Sequence, residues 1–306
     1  IFNIKIQIYL VKNLFFIALK EIETNLSKYV NNYEILETYS LVLRKFNRLD
    51  ESIKYIEIAK KLENRIDYNG YVYSLHLANK SYEKGFYFLS KTSEIPDIIN
   101  FFTKNNVFEW QGESLDERSI FIYTGSGVAI GDSIFYFRYL IDLLNKYKKI
   151  KVYFCLNKMS LKYLFNNNGV EVVDINLLNK YLPIMNTSFY SSIPNLAEMY
   201  CKKNGNKIMN FISFIPTSSS KSVLWFNILK NYKAKIKIGL NWKGNIKYKY
   251  DMYRSLKIED LKILLKIPDV LFFVLNPDIS NEEKEFINNN KNIILIDRYL
   301  MKDEKE

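Results

Sequence analysis

Two glycine-bearing stretches hold the residues best suited to chemistry. The first, TGSGVAIGD, runs from Thr124 to Asp132 and follows the apolar run SIFIY. Gly125, Gly127 and Gly131 permit tight turns and the close approach of another group. Asp132 then stands at the first turn of an expected helix. A carboxylate there can accept a proton, or it can simply cap free backbone amides. The GxG spacing does not complete a dinucleotide fingerprint, and no acidic residue closes the next strand. The second stretch, NWKGNIKYKYDMYRSL, follows KIKIGL. It offers Trp242, Lys243, Gly244 and Asn245, then the cations Lys247, Lys249 and Arg254, with Ser255 at an expected helix start. Lys and Arg beside glycine at a strand end suit the oxygens of a diphosphate, and a solvated basic loop is the competing reading.

Elements of alternating type must position these stretches. From Ser119 onward, short apolar runs alternate with amphipathic patterns. SIFIYTG, KVYFCLN and VEVVDI read as buried strands, with helices over GDSIFYFRYLIDLLNKYK and MSLKYLF between them. KIKIGLNWKG, VLFFVLN and NIILID continue the strand series, interleaved with the helix LKIEDLKILLKI and a polar helix from about Asn281. Such alternation predicts doubly wound parallel sheets, with a cleft at the carboxyl ends of their strands. A helical stretch near 218–233 serves as the expected crossing between two of them.

The chain before about Asn106 reads as helices only, with apolar residues at three- and four-residue spacing and no glycine before Gly70. Within it Phe15, Ala18, Leu19 and Ile22 recur 34 residues on as Leu49, Ser52, Ile53 and Ile56. They recur again, 33 residues further, as Tyr82, Gly85, Phe86 and Leu89. The small residue at Ala18, Ser52 and Gly85 is where two helices can approach closely, and Pro96 falls where a repeat ends. This pattern resembles the tetratricopeptide repeat (TPR), which implies stacked helix pairs and a groove for a protein partner. An ordinary helical bundle is the alternative.

Composition narrows the chemistry. The 306 residues, 48% apolar, can bury a large core, and the length suits two domains. A single histidine, His76, argues against Ser-His catalysis and histidine-based metal sites. Cys155 and Cys201 form no ligand spacing or disulfide framework, which suits a reducing, cytoplasmic compartment. The apolar runs are too short to span a bilayer, and the start IFNIKIQIYL lacks a cleavage pattern. The net charge of +11 is spread through a Lys-, Asn- and Ile-rich sequence, without the basic runs and interleaved aromatics of a nucleic-acid groove. It supports only a mild preference for anionic partners such as nucleotide phosphates or a membrane surface.

Four blocks in order carry a further resemblance: WQGESL, IGDSIFYFRYLIDLL, SSIPNLAEMY and GLNWKGNIKYKYDMYRSLKIEDLKILL. Together they cover most of Trp110 to Asn276. They resemble bacterial TPR-containing proteins whose catalytic part is similar to heptosyltransferases, and more distantly the TPR-bearing O-GlcNAc transferase. The resemblance implies TPR-like helices over 1–108, then a GT-B pair of Rossmann-like domains over 109–233 and 234–306. It further implies metal- and cofactor-independent transfer of a sugar from a nucleotide-sugar donor to a hydroxyl of a glycan, lipid-linked saccharide or protein. Gly131 and Asp132 match the family's Gly-Asp loop, which makes Asp132 the candidate base. Trp242, Gly244 and Asn245 match the block after the fifth strand, and Arg254 with Ser255 its Arg-Ser ending. With Lys243 and Lys249, these and Gly131 form the candidate donor site. The sequence departs from the pattern at Lys243, where small residues are usual. It also has Ala129 for glycine, Tyr248 for His, Tyr250 for Asn and Met252 for Arg. The donor-side half stops after few strands, and the chain starts without Met, so a fragment is expected. The alternative is a non-catalytic TPR adaptor with a degenerate transferase-like domain.

Overall fold

Among the described residues, seven α-helices open the chain: α1 Phe2–Val11, α2 Phe15–Asn25, α3 Tyr33–Lys45, α4 Leu49–Leu62, α5 Tyr68–Ala78, α6 Tyr82–Thr92 and α7 Pro96–Lys104. This is a computed structural model, and it describes residues 1–63, 68–125, 130–156, 159–165, 169–174, 177, 189–210, 213, 219–244, 251 and 255–296. Local chemistry sets several helix ends. The Asn32 side chain accepts from the Ile35 N–H at 3.0 Å and caps α3, while Pro96 occupies the first turn of α7, where a missing N–H costs nothing. Asn13, Asn47 and Asn106 adopt positive φ just past helix ends, a conformation asparagine tolerates better than most residues.

The small residues of the 34-residue pattern lie at close helix contacts. Ala18 is buried in a core with Ile6, Ile35 and Tyr39. Ser40 on α3 and Ser52 on α4 exchange hydroxyl-to-carbonyl hydrogen bonds of 2.8 and 2.7 Å, so the two backbones meet with only a hydroxymethyl between them. Gly85 on α6 lies so near α5 that a methyl group there would fall 2.6 Å from Leu77 Cδ2. His76 is buried on α5, stacked on Phe88 with ring centroids 5.6 Å apart.

Beyond the helices the fold is mixed helical and parallel-sheet. Strands β1 Phe108–Glu109, β2 Ser119–Tyr123, β3 Lys151–Leu156, β4 Glu171–Asp174 and β5 Phe189–Ser192 form one parallel sheet in the order β1-β5-β2-β3-β4. The central strands are buried on both faces, as their unbroken apolar runs require. Helices α8 Ile130–Lys146 and α9 Ile193–Lys203 cover one face together with Phe86 and Leu89 of α6. Ile98 and Phe102 of α7 cover the other. The helical array and this sheet therefore share a core, and they form one compact unit, Ile1–Pro216. The expected boundary near residue 108 is no gap in packing.

The second unit, Thr217–Glu306, holds α10 Ser219–Leu229, β6 Ile236–Leu240, β7 Val270–Val274, α11 Asn281–Asn288 and β8 Ile293–Leu295. Its strands pair in parallel in the order β6-β7-β8. Helix α10, expected as a crossing, groups with this unit. Two expected α-helices are instead 3-10 helices, Met159–Leu164 and Ile258–Lys266, whose tighter winding suits short connectors. Strands β1 and β5 have no counterpart in the sequence reading. Among the described residues, no helix is long and apolar enough to cross a membrane.

Candidate active site

The order of the first sheet creates one distinctive position. From β2 the chain passes through α8 to β3 and on to β4, moving outward on one side. It then returns to place β5 on the other side of β2. Neighbouring strands whose connections leave in opposite directions open a crevice at their carboxyl ends, where ligands of open α/β sheets bind. Here the strand order reverses beside β2, although α8 and α9, which follow β2 and β5, lie on the same face of the sheet.

The end of β2 is held from below. Thr124 is buried, and Gly125 adopts φ +85°. A methyl group on Gly125 would stand 2.6 Å from Ser93 Cβ and 2.9 Å from the Ser93 carbonyl oxygen, so the strand end rests on the residue closing α6. Gly127 and Ala129 lie outside the described residues. Helix α8 then begins at Ile130, and its first turn carries Gly131 and Asp132, both exposed. Nothing stands within 4 Å of a methyl group placed on Gly131. One turn on, burial pushes the Tyr136 hydroxyl well above its usual range, and the Asp132 charge adds to the effect. Asp132 thus stands as an exposed carboxylate at the amino end of a long helix, where the dipole favours negative charge.

The end of β5 consumes its own polar groups. Ser192 Oγ accepts from the Asn195 N–H at 3.3 Å and caps α9. Asn195 Nδ2 donates to Ser191 Oγ at 2.9 Å and to the Trp110 carbonyl at 3.3 Å. These buried residues tie β1, β5 and α9 together, which is what the blocks WQGESL and SSIPNLAEMY contribute to this fold.

In the second unit, the chain after β6 reaches Trp242, Lys243 and Gly244, while Asn245, Lys247, Tyr248, Lys249, Tyr250, Met252 and Arg254 lie outside the described residues. Trp242 is a core residue, packed with Ile258, Phe272 and Ile287. Its indole N–H donates to Glu283 Oε1 at 3.0 Å, and Lys243 Nζ bonds Oε2 of the same carboxylate at 2.5 Å. Burial would push the Glu283 carboxyl up. Hydrogen bonds from Lys243, the Ser280 N–H and Trp242 outweigh it and hold the group below its usual value. Asn276 fixes the same turn, its Oδ1 accepting from the Trp242 N–H at 3.2 Å and its Nδ2 donating to Asn241 Oδ1 at 2.7 Å. Ser255 does not start a helix: the 3-10 helix begins at Ile258 after Lys257, and Ser255 Oγ accepts instead from the Gly244 N–H at 2.9 Å. The sequence reading missed Glu283 and Asn276. Glu283 was visible only as the last residue of a Ser-x-x-Glu capping box at Ser280.

Gly131 and Asp132 therefore share one helix turn in the first unit, and Trp242, Lys243, Gly244 and Ser255 share one loop in the second. No protein-family model matches this chain, and no curated protein matches it. Among solved structures it is similar to a mutant O-GlcNAc transferase of Thermobaculum terrenum, at 10% identity and a TM-score of 0.29, over 96% of this chain and 73% of that one. A likeness that low carries no weight for fold or function, which must rest on the chain's own residues.

Proposed function

We propose that this chain carries a glycosyltransferase of GT-B type behind TPR-like repeats, moving a sugar from a nucleotide-sugar to an acceptor hydroxyl without a metal. The observation that supports it best is the exposed Gly131-Asp132 turn at the reversal of strand order beside β2. The four sequence blocks shared with TPR-bearing transferases add support. In this reading the acceptor oxygen attacks the anomeric carbon and its proton passes to Asp132. The bond from that carbon to the diphosphate breaks, and its electron pair leaves with the nucleotide. Lys243 is matched by Glu283 and the Gly244 N–H by Ser255, so the leaving charge falls to Arg254, Lys249 and other backbone N–H groups. Arg254 is the stronger candidate, since its planar fork can hold a phosphate through two bonds.

The test is transfer or hydrolysis of a panel of nucleotide-sugars by the full chain and by Asp132→Asn. Turnover should fall about a hundredfold or more in the variant, because an amide cannot take the proton. Stability should fall by no more than about 1 kcal/mol, the worth of a negative charge in the exposed first turn of a helix. Full activity in Asp132→Asn would sink the assignment.

One observation favours a second reading, a helical-repeat binding protein. Ile4, Ile8 and Val11 are exposed along one side of α1, and Phe16 is exposed at the start of α2. A row of apolar residues at helical spacing on the surface is what a partner helix covers. Calorimetry with uridine, guanosine and cytidine diphosphates separates the two: heat of binding supports the transferase, and its absence in folded protein supports the adaptor.

A further inference from the structure

A pocket of about 290 Å³ lies between α8 and α9, lined in part by Trp110. It is well removed from the Gly131-Asp132 turn: Asp142 on its wall is ten residues along α8, about 15 Å at helical rise. None of its residues belongs to the proposed transfer site, and the inference does not depend on that reading.

Its lining is mixed in a particular way. Buried Leu143, Leu196 and Met199 make an apolar floor. The rings of Trp110, Tyr139 and Tyr200 form walls, and Asp142, Lys146, Lys203 and Asn204 bring donors and acceptors to the mouth. The charge is mixed, two lysines and one carboxylate, and Lys146 and Lys203 repel each other. Lys146 and Lys203 stand in the last turns of α8 and α9, where carbonyl ends already match them, and Asp142 and Glu113 carry opposing charge nearby. Lys203 Nζ also lies 5.6 Å over the Trp110 ring, which takes up part of its field. The pocket does not suit a purely apolar guest. Asp142 is half-buried in the lining, and burial pushes its carboxyl up against the pull of Lys146. A guest that satisfies it needs hydroxyl donors on one side and an apolar face on the other, in a volume that admits one small ring.

We infer that the pocket between α8 and α9 is a saccharide-binding site, taking a single neutral pyranose with its hydroxyls on Asp142, Lys146 and Asn204.

The indole N–H of Trp110 reports on it directly, since it donates to the Glu113 carbonyl at 2.9 Å beside the pocket. In a nitrogen-15 labelled full chain this signal is assigned by loss in Trp110→Phe. It is then followed while methyl glucoside, galactoside, mannoside and N-acetylglucosaminide are titrated, with phenyl phosphate as the anionic comparison. A saturable shift with at least one pyranoside is expected. Affinity should weaken about tenfold or more in Asp142→Ala and in Asn204→Ala, the loss expected for polar groups that bind the guest directly. Both substitutions lie on the pocket's rim, and an unchanged spectrum elsewhere confirms that each variant is folded. Asp132→Asn should leave the titration as it is, so this inference and the transfer reading fail separately. A flat response to all four pyranosides overturns the inference. So does a shift with phenyl phosphate alone, or a pyranoside shift that survives both rim substitutions.

Discussion

Two loops occupy the same kind of place in this protein, each leaving the carboxyl end of a strand in a parallel sheet, and they spend their residues differently. Among its described residues, the turn after β6 bonds its polar groups internally: the Trp242 indole and Lys243 share Glu283, Asn276 bridges the turn, and Ser255 binds the Gly244 N–H. Of the turn after β2, the described base rests on a neighbour, Gly125 against Ser93, and Gly131 and Asp132 at its far end are exposed. A strand end thus has two ways to keep a turn in shape, by bonding it to itself or by resting it on a neighbour. The second carries an exposed carboxylate, Asp132, beyond its anchored base.

The sharpest way to break this comparison is to remove the centre of the self-bonded turn. Trp242→Ala deletes a buried aromatic from the smaller core and the indole donor to Glu283. It should destabilise the second unit by about 3–5 kcal/mol. Denaturant unfolding followed by circular dichroism reads it, and a loss under 1 kcal/mol, in the ordinary range of surface changes, would show that the turn is not held this way.

Next comes the carboxylate itself. Glu283→Gln keeps the shape but removes the charge that faces Lys243, at a cost of about 1.5–3 kcal/mol for a hydrogen bond between charged groups. The same group gives the second unit an acid limb. Its folded-state value lies below the usual 4.5, so its contribution is full above that value and is lost as pH falls through the lower one. Unfolding midpoints of the native protein should therefore drop on acidification below about pH 4.5, and Glu283→Gln should flatten that drop. An identical acid profile in the variant would assign the limb to other carboxylates.

These partners were poorly legible in the sequence, for a physical reason. Strands β2 and β3 announce themselves as apolar runs because both faces of their sheet are covered, and the helix starts at Leu49 and Tyr82 follow from a period that packing enforces. Strand β5, in contrast, is Phe-Tyr-Ser-Ser, and its buried serines earn their place through bonds to Asn195 that appear only once α9 folds over them. Strand β1 is two residues long and exists only because β5 pairs with it. Glu283 closes the capping box at Ser280. Its second role needs a tryptophan and a lysine some forty positions away. Of the glycines in the first loop, Gly125 takes the left-handed backbone a turn asks for, but the sequence could not say that it stands against the helical array while a methyl group on Gly131 would meet no atom within 4 Å.

That distinction gives the third measurement. Gly125→Ala places a methyl group against the Ser93 backbone and demands a left-handed conformation of alanine. Backbone cannot step aside as a side-chain tip can, so a cost of about 1–3 kcal/mol is expected in the first unit. A neutral result would mean that the base of the loop is not anchored on α6.

Gly131→Ala has the smallest expected effect on stability, and it discriminates best. The position lies within the first turn of α8, without a positive φ, and an added methyl group meets no atom within 4 Å. Alanine also loses less backbone freedom on folding than glycine, so the substitution should stabilise the first unit by about 0.4–1 kcal/mol. If the open turn exists to let a ligand come close to the backbone beside Asp132, that same methyl group occupies the space the ligand needs. Nucleotide-sugar turnover should then fall about tenfold or more while the melting temperature holds or rises, a split that a merely structural glycine cannot produce. Kinetics and thermal unfolding on one preparation decide it. Activity and stability that rise together would mean the turn is bare surface, and Asp132 would revert to capping its helix.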